Sequence, residues 1–296
     1  MRVLGFGDNI VDRFVDRGID YPGGNCVNVA VFARRLGADA AYLGVFGDDD
    51  LGHFLRDAVA EQGVDVSRSV FRAGPSGIST LRVDDGERVF LGWNGGGVTV
   101  KSPLELDDGL LHYVDGFDLV HTSVYSRSEP ELPALAARSA LVSMDLSSED
   151  EFRTAEYLQR TCPHADLVLL SCSHLTVQET RDLLARAIAS GAGMALGTRG
   201  VDGSIVTDGV VTIEGTAHLV DADGGMVDTM GCGDAFLAGF VVSLLGAGWR
   251  KGEAVDSIAL EAALAAGADS AYEQCFVEGA FGGGTAFGDA VAATMW

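Results

Sequence analysis

The chain has 296 residues, 47% hydrophobic and 21% charged, which is enough for one large α/β domain spanning 1–296 with a well-buried core. Its formal net charge of −23 and pI near 4.4 exclude general binding to nucleic acid or to an anionic membrane, both of which need basic surfaces. Lys101 and Lys251 are the only lysines and neither follows a Gly-x-x-x-x-Gly run, so a Walker-type phosphate loop is excluded as well.

Val3 to Gly7 is a short apolar strand ending in glycines, with Asp12 just beyond it, and strand C-termini are where open α/β sheets bind ligands. Gly5-Phe6-Gly7 is not completed to Gly-x-Gly-x-x-Gly, since position 10 is isoleucine, and a dinucleotide fingerprint is correspondingly weak. The run Pro22-Gly23-Gly24-Asn25-Cys26-Val27-Asn28 puts a glycine pair ahead of a helix expected over Cys26 to Leu36. Asn28, one turn in, can point its amide back over the loop, where a donor and an acceptor at fixed separation suit a polyol.

Further strands are expected over Ala40 to Phe46, Leu119 to Thr122, Ala140 to Asp145, Leu167 to Ser171, Met194 to Gly197 and Ile205 to Thr207. Helical patterns over Leu51 to Glu61, Glu151 to Thr161 and Val177 to Ser190 alternate with them. That rhythm argues a mainly parallel sheet with helices on both faces. It breaks between Ser67 and Val100, where Ile78 to Val83 and Arg88 to Trp93 flank Asp84-Asp85-Gly86 and read as a hairpin.

The most informative stretch is Asp228-Thr229-Met230-Gly231-Cys232-Gly233-Asp234, followed by the apolar run Ala235 to Leu245. Small residues ahead of a helix let unpaired N–H groups converge where the helix dipole attracts an anion, so Gly231, Cys232 and Gly233 are candidates for a phosphate seat. Asp234 stands where a carboxylate could take a proton from a hydroxyl held against that phosphate. Taken alone, Gly-x-Gly-Asp is also a common turn, and an Asp in a first helical turn is often only a cap.

The five cysteines are scattered and form no Cys-x-x-Cys pair, so they read as small buried hydrophobes in a reducing compartment. A thiolate is favoured at a helix N-terminus, which leaves the chemistry of Cys232 open. The first strand begins within two residues of the N-terminus, leaving no room for a signal peptide and pointing to the cytoplasm. The longest apolar stretch, Ala235 to Trp249, is shorter than the roughly 20 residues a bilayer needs. The six histidines show no His-x-x-x-His spacing, giving little support for a transition-metal site.

On Gly23-Gly24-Asn25-x-x-Asn28-x-Ala30 and Asp228-Thr229-x-Gly231-Cys232-Gly233-Asp234, the chain resembles the PfkB, or ribokinase, family of carbohydrate kinases over essentially its full length. Gly44-x-x-Gly47-Asp48-Asp49-x-x-Gly52 and Leu196-Gly197-Thr198-Arg199-Gly200 match it as well; the family usually has alanine where Cys232 stands. The resemblance implies a ribokinase-like three-layer α/β fold with a small β lid, here from about 12–17 and 72–98. It implies ATP and Mg²⁺ as cofactors, Asp234 as general base, and an anion hole at Gly231, Cys232 and Gly233. It further implies sugar binding by Asp12, Gly24 and Asn28, and nucleotide binding by Gly197, Thr198, Arg199 and Gly200, with the small residues Ala262 to Ala268 leaving space for adenine.

Within the family, Gly7-Asp8-Asn9-x-Val11-Asp12, the middle segment Val120 to Ser126 and the tail Gly267 to Phe281 are similar to fructoselysine 6-kinase-like proteins. The substrate this implies is a sugar or sugar-amine, a fructosamine such as fructoselysine taken at its 6-hydroxyl, with Asp84, Asp85 or Glu87 available to meet the amine. A kinase for ribose or a ketohexose, and a non-catalytic nucleotide or sugar sensor, stand as alternatives, and assembly into a homodimer is left open. Many relatives carry Asn-x-x-Glu after the strand ending at Leu170, near the metal, where this chain reads Ser171-Cys172-Ser173-His174. No metal ligands are assigned.

Overall fold

The computed structural model describes residues 1–84, 87–221 and 225–287, without the side chains of 84, 87 and 88. In chain order the main elements are β1 (Arg2–Gly7), β2 (Ile10–Phe14), β3 (Ile19–Gly23), α1 (Asn25–Arg35), β4 (Asp39–Gly47), α2 (Asp50–Glu61), β5 (Val70–Arg72), β6 (Ile78–Asp84) and β7 (Glu87–Trp93). Two short helices, α3 (Gly97–Lys101) and α4 (Asp108–Val114), lead to β8 (Leu119–Ser123), α5 (Leu132–Ala136), β9 (Leu141–Asp145), α6 (Ala155–Thr161), β10 (Leu167–Ser171) and α7 (Val177–Ala189). The rest are β11 (Ala195–Thr198), β12 (Ser204–Thr207), β13 (Thr212–Gly215), α8 (Cys232–Gly246), α9 (Ser257–Gln274) and β14 (Thr285–Ala286).

The large sheet runs β13-β12-β11-β10-β9-β8-β1-β4-β5, parallel from β11 to β5 and antiparallel at β12 and β13. Its central strands are buried along nearly their whole length, and their alternate side chains enter different cores. Leu4, Val120, Val142, Met144, Val168 and Leu170 pack on one face with residues of α5, α6 and α7. Val3, Leu119, Leu141, Leu167, Leu169 and Leu196 pack on the other with α8 and α9. A side-chain period of two thus turns continuous apolar runs into a sheet covered on both sides.

From Ala235 onward helix α8 is apolar nearly all round, as a helix buried on almost every side must be. It lies against α9 at glycine contacts: a Cβ on Gly239 would stand 2.5 Å from the Ala266 carbonyl oxygen, and one on Gly267 would stand 2.9 Å from the Phe236 carbonyl oxygen. The small residues Ala263, Gly267 and Ala268 of the run considered for adenine are therefore accounted for by helix packing, whereas Ala262 and Ala265 are exposed.

The second sheet has the order β14-β3-β2-β6-β7. The hairpin expected around residue 85 is present as β6 and β7, with Asp84 paired to Glu87; its turn, Asp85-Gly86, lies outside the described residues, as do the side chains of Asp84 and Glu87. The strand expected over 12–17 is corrected. It starts at Ile10 and ends at Phe14, because Arg17 and Gly18 donate back to the Phe14 carbonyl and Gly18 turns the chain with φ 66° into β3. The helix expected over Glu151 to Thr161 is also corrected: the Thr154 side chain accepts from Tyr157 N–H and starts α6 there, leaving only a 3₁₀ turn, Asp150–Arg153, before it. Among the described residues, no helix is long and apolar enough to cross a membrane.

Candidate active site

The C-terminal ends of β1, β8 and β9 meet the N-terminus of α1 beneath the second sheet, and α8 begins there too. Gly24 caps α1 with φ 116°, a backbone only glycine adopts easily, and a Cβ would stand 2.6 Å from the Asn9 Cα. The Asn25 N–H donates to Asp8 Oδ2 at 2.6 Å, so a carboxylate from the end of β1 satisfies the helix dipole. Asp8 is held in turn by the hydroxyls of Ser123 at 2.6 Å and Ser126 at 2.8 Å.

The Asn25 side chain joins three groups. Its Nδ2 donates to Asp145 Oδ2 at 2.8 Å and to Asp234 Oδ1 at 2.7 Å, while its Oδ1 pairs with His121 Nε2 at 2.7 Å. His121 Nδ1 lies 2.9 Å from Ser143 Oγ. Burial pushes the His121 imidazole down to about 4, opposed by the Asp8 charge, so the ring is neutral near pH 7. A neutral ring donating from Nε2 to Asn25 and accepting from Ser143 fixes which way the Asn25 amide points.

Asn28, one turn along α1, donates from Nδ2 to Asp234 Oδ2 at 2.7 Å. Both oxygens of Asp234 are thus anchored from α1. Burial drives the Asp234 carboxyl well above the ordinary carboxylate range; the Asn28 hydrogen bond opposes this, and the charges of Asp145, Asp8 and Asp12 add to it. Burial also raises Asp145 to about 6, against the Ser147 N–H and Asn25 bonds that favour its charged form. Asp12 approaches from β2: a Cβ on Gly23 would stand 2.5 Å from Asp12 Oδ2 and 3.9 Å from Asn28 Oδ1.

Gly231 caps α8 with φ 74°, and the helical ladder opens with Ala235 N–H donating to the Gly231 carbonyl. The Cys232 N–H reaches the Thr229 carbonyl at 3.3 Å, and the amides of Gly233 and Asp234 lie ahead of the ladder. Gly233 has ordinary helical backbone, and a Cβ there would meet nothing within 4 Å. The fold does not need glycine at that position, whereas an anion resting on the first turn would.

The sequence-derived residues Asp12, Gly24, Asn28, Gly231, Cys232, Gly233 and Asp234 therefore surround one locus. Gly197, Thr198, Arg199 and Gly200 stand apart at the end of β11, two strands from β9 and so about 10 Å along the sheet. There Gly200 turns with φ 60°, and Arg199 pairs with Asp202 at 3.5 Å. Asn25, His121, Asp145 and Asp8 carry the polar network without having been given a role, although Asn25 and Asp8 stand in the motifs quoted for the resemblance. The signal for two of them was a strand, Leu119–Ser123, that ends in His121-Thr122-Ser123, and another that ends in Asp145. The cysteine expectation is corrected in part: Cys26, Cys162 and Cys172 are buried, but Cys232 and Cys275 are only half-buried, because they lie at the helix ends that border the site.

Comparison with known proteins places this geometry. Residues 15–277 match the family model described as pfkB family carbohydrate kinase. The chain is 35% identical to the fructosamine kinase FrlD of Bacillus subtilis over 287 residues, covering 96% of this chain and 94% of that one. It is 32% identical to the fructoselysine 6-kinase of Escherichia coli K12 over 247 residues, covering 83% and 88%. The crystal structure of a fructokinase with bound ATP from Xylella fastidiosa superposes with a TM-score of 0.73 at 20% identity, covering 95% of each chain. The shared architecture is the ribokinase-like α/β fold.

Two outcomes follow from the site. Asn28→Ala removes a bond that favours the charged form of Asp234, so the acidic limb of kcat against pH should move to higher pH; an unmoved or lowered limb in a pH profile would contradict the assignment. Gly233→Ala should leave the melting temperature unchanged or raise it, since alanine is favoured over glycine in a helix by about 0.5–1 kcal/mol. The same change should lower kcat/KM about tenfold or more through overpacking against the bound anion.

Proposed function

The chain belongs to the pfkB family of carbohydrate kinases and is an ATP-dependent sugar kinase; on that premise we propose that it phosphorylates the 6-hydroxyl of a fructosamine such as fructoselysine, with Asp234 as general base. The observation that carries the base assignment is the two-sided use of Asn28. Its Nδ2 holds Asp234, while its Oδ1 is buried without a hydrogen-bond partner on the side facing Gly23 and Asp12. An unsatisfied buried acceptor costs about 1–3 kcal/mol, which a substrate hydroxyl donating there would recover. A sugar bound by Asp12 and Asn28 would bring its reacting hydroxyl against Asp234.

The steps follow from the arrangement. A carboxylate with a raised pKa is a stronger base than an exposed one, and Asp234 takes the hydroxyl proton as the oxygen attacks the γ-phosphorus in line. The amides of Gly231, Cys232 and Gly233 at the start of α8 stabilise the charge on the transferring group, the Cys232 N–H exchanging its long 3.3 Å bond to the Thr229 carbonyl for the phosphate. Gly197 to Gly200 hold the nucleotide farther along the sheet edge, and the small sheet of β2, β3, β6 and β7 closes over the sugar to exclude water.

Magnesium accompanies ATP in this reading and neutralises the β- and γ-phosphates. The residues at the position of the family's Asn-x-x-Glu do not fit a metal ligand set. Arg153, 5% exposed, donates to the carbonyls of Ser147 at 2.6 Å and Ser171 at 2.5 Å and lies 3.3 Å from His174 Nε2, so a fixed cation occupies that place. Among the described residues, no group of three His, Cys, Asp or Glu side chains could hold a metal ion. The ion would ride on the phosphates with its waters, and no step is derived through it.

The substrate class comes from the names of the relatives, a fructosamine kinase and a fructoselysine 6-kinase. The cation on an amino-acid appendage suits a chain of net charge −23, which would draw it in. Steady-state kinetics on fructoselysine, fructose and ribose test the proposal, with detection of phosphorylated product. A kcat/KM for fructoselysine above both plain sugars by about a hundredfold or more is expected, since a group built to pair with the amine stays unsatisfied when a plain sugar binds. Equal or better use of fructose or ribose would reject the fructosamine assignment, and no product from any of the three would leave a binding protein.

A further inference from the structure

Helices α8 and α9 run antiparallel, with Gly239 opposite Ala266 and Phe236 opposite Gly267, and this register brings Cys232 at the start of α8 to Cys275 just past the end of α9. The two sulfurs lie 3.7 Å apart, and both residues are half-buried. Cys26, Cys162 and Cys172 are 0% exposed. A disulfide needs an S–S separation of about 2.05 Å, so closure asks for a movement of less than about 2 Å, shared between side-chain rotation and a small shift of the first turn of α8.

A second observation ties this pair to the phosphate seat. The segment around Cys275 braces the loop that enters α8: the Cys275 carbonyl accepts from the amides of Val227 at 2.8 Å and Asp228 at 3.3 Å. Gln274 Nε2 donates to the carbonyls of Met230 and Gly279, each at 2.9 Å. A covalent link between the sulfurs would therefore act on both sides of Gly231 at once, through the first residue of α8 and through the brace of its entry loop.

We propose that Cys232 and Cys275 form a reversible disulfide, made by exchange with a low-molecular-weight disulfide such as oxidised glutathione, and that it shuts the phosphate seat. One protein thiolate attacks the small disulfide, forming a mixed disulfide and expelling one small thiolate. The second protein thiolate then attacks the protein sulfur of that mixed disulfide and expels the other. Two electrons pass from the protein to the small disulfide, and the two protons released by the protein thiols go to the departing thiolates. With Cys232 tethered toward α9, its N–H and that of Gly233 no longer converge on the transferring phosphate. The effect on turnover rests on the kinase reading; formation of the link does not.

The test equilibrates the full-length protein in buffers of oxidised and reduced glutathione, traps thiols by alkylation and maps peptides by mass spectrometry, with turnover and ATP affinity measured on the same samples. The wild type should yield a Cys232–Cys275 peptide link and lose turnover on the order of a hundredfold, the effect of losing an anion-hole donor, with dithiothreitol restoring it. Cys275→Ser should keep basal turnover, yield no such link, and remain active in mixed buffers that lock the wild type. Absence of the link in oxidised wild type, or a complete link with turnover and ATP affinity unchanged, would overturn the proposal. If no sugar is turned over, the peptide map and the ATP affinity still decide it.

Discussion

Three carboxylates, Asp8, Asp145 and Asp234, are brought together at the ends of the strands, and a single side chain, Asn25, makes their proximity tolerable. Like charges in a low-dielectric setting repel strongly, so such a cluster persists only where donors are interposed and some of the carboxyls hold protons. Asn25 supplies its backbone N–H to Asp8 and one side-chain N–H to each of the other two, and its oxygen is taken by the neutral His121. Every polar group that could hold it in place is engaged, and the raised pKa values of Asp145 and Asp234 follow from the same crowding and burial. The base strength invoked for catalysis is thus a property of the strand ends, not of Asp234 alone.

The rest of the architecture serves to keep that arrangement dry and fixed. Two-sided burial of the central strands sets the heights at which β1, β8 and β9 end, and the apolar body of α8, pinned against α9 through Gly239 and Gly267, sets where Asp234 stands. Capping α1 with Asp8 rather than with a local side chain couples helix placement to the active-site network. A displacement of α1 would move both amides that hold Asp234.

What was legible in the sequence was what depends on near neighbours. Seven of the nine strands of the large sheet were visible because each carries a short apolar run, and the proposed phosphate seat because its glycines and Asp234 are contiguous. The split of Glu151 to Thr161 turned on a cap at Thr154, and the β2–β3 turn on Gly18, details too local for a pattern of apolar spacing to carry. The roles of Asn25, His121 and Asp145 were missed for the opposite reason: their bonds link residues 96 to 209 positions apart, and nothing in the adjacent residues announces the partner. The substitution of Ser171-Cys172-Ser173-His174 for the family's metal-linked motif was visible, but the buried Arg153 that fills the space was not.

The central claim is that the half-buried carboxylate of Asp234 acts as the base for phosphoryl transfer, and comparison of turnover and ATP affinity between the wild type and Asp234→Asn tests it most directly. The amide is nearly isosteric and cannot take the proton, so kcat should fall by about 10²–10⁴-fold while the dissociation constant for ATP stays close to that of the wild type. Turnover within a few-fold of the wild type would contradict the account.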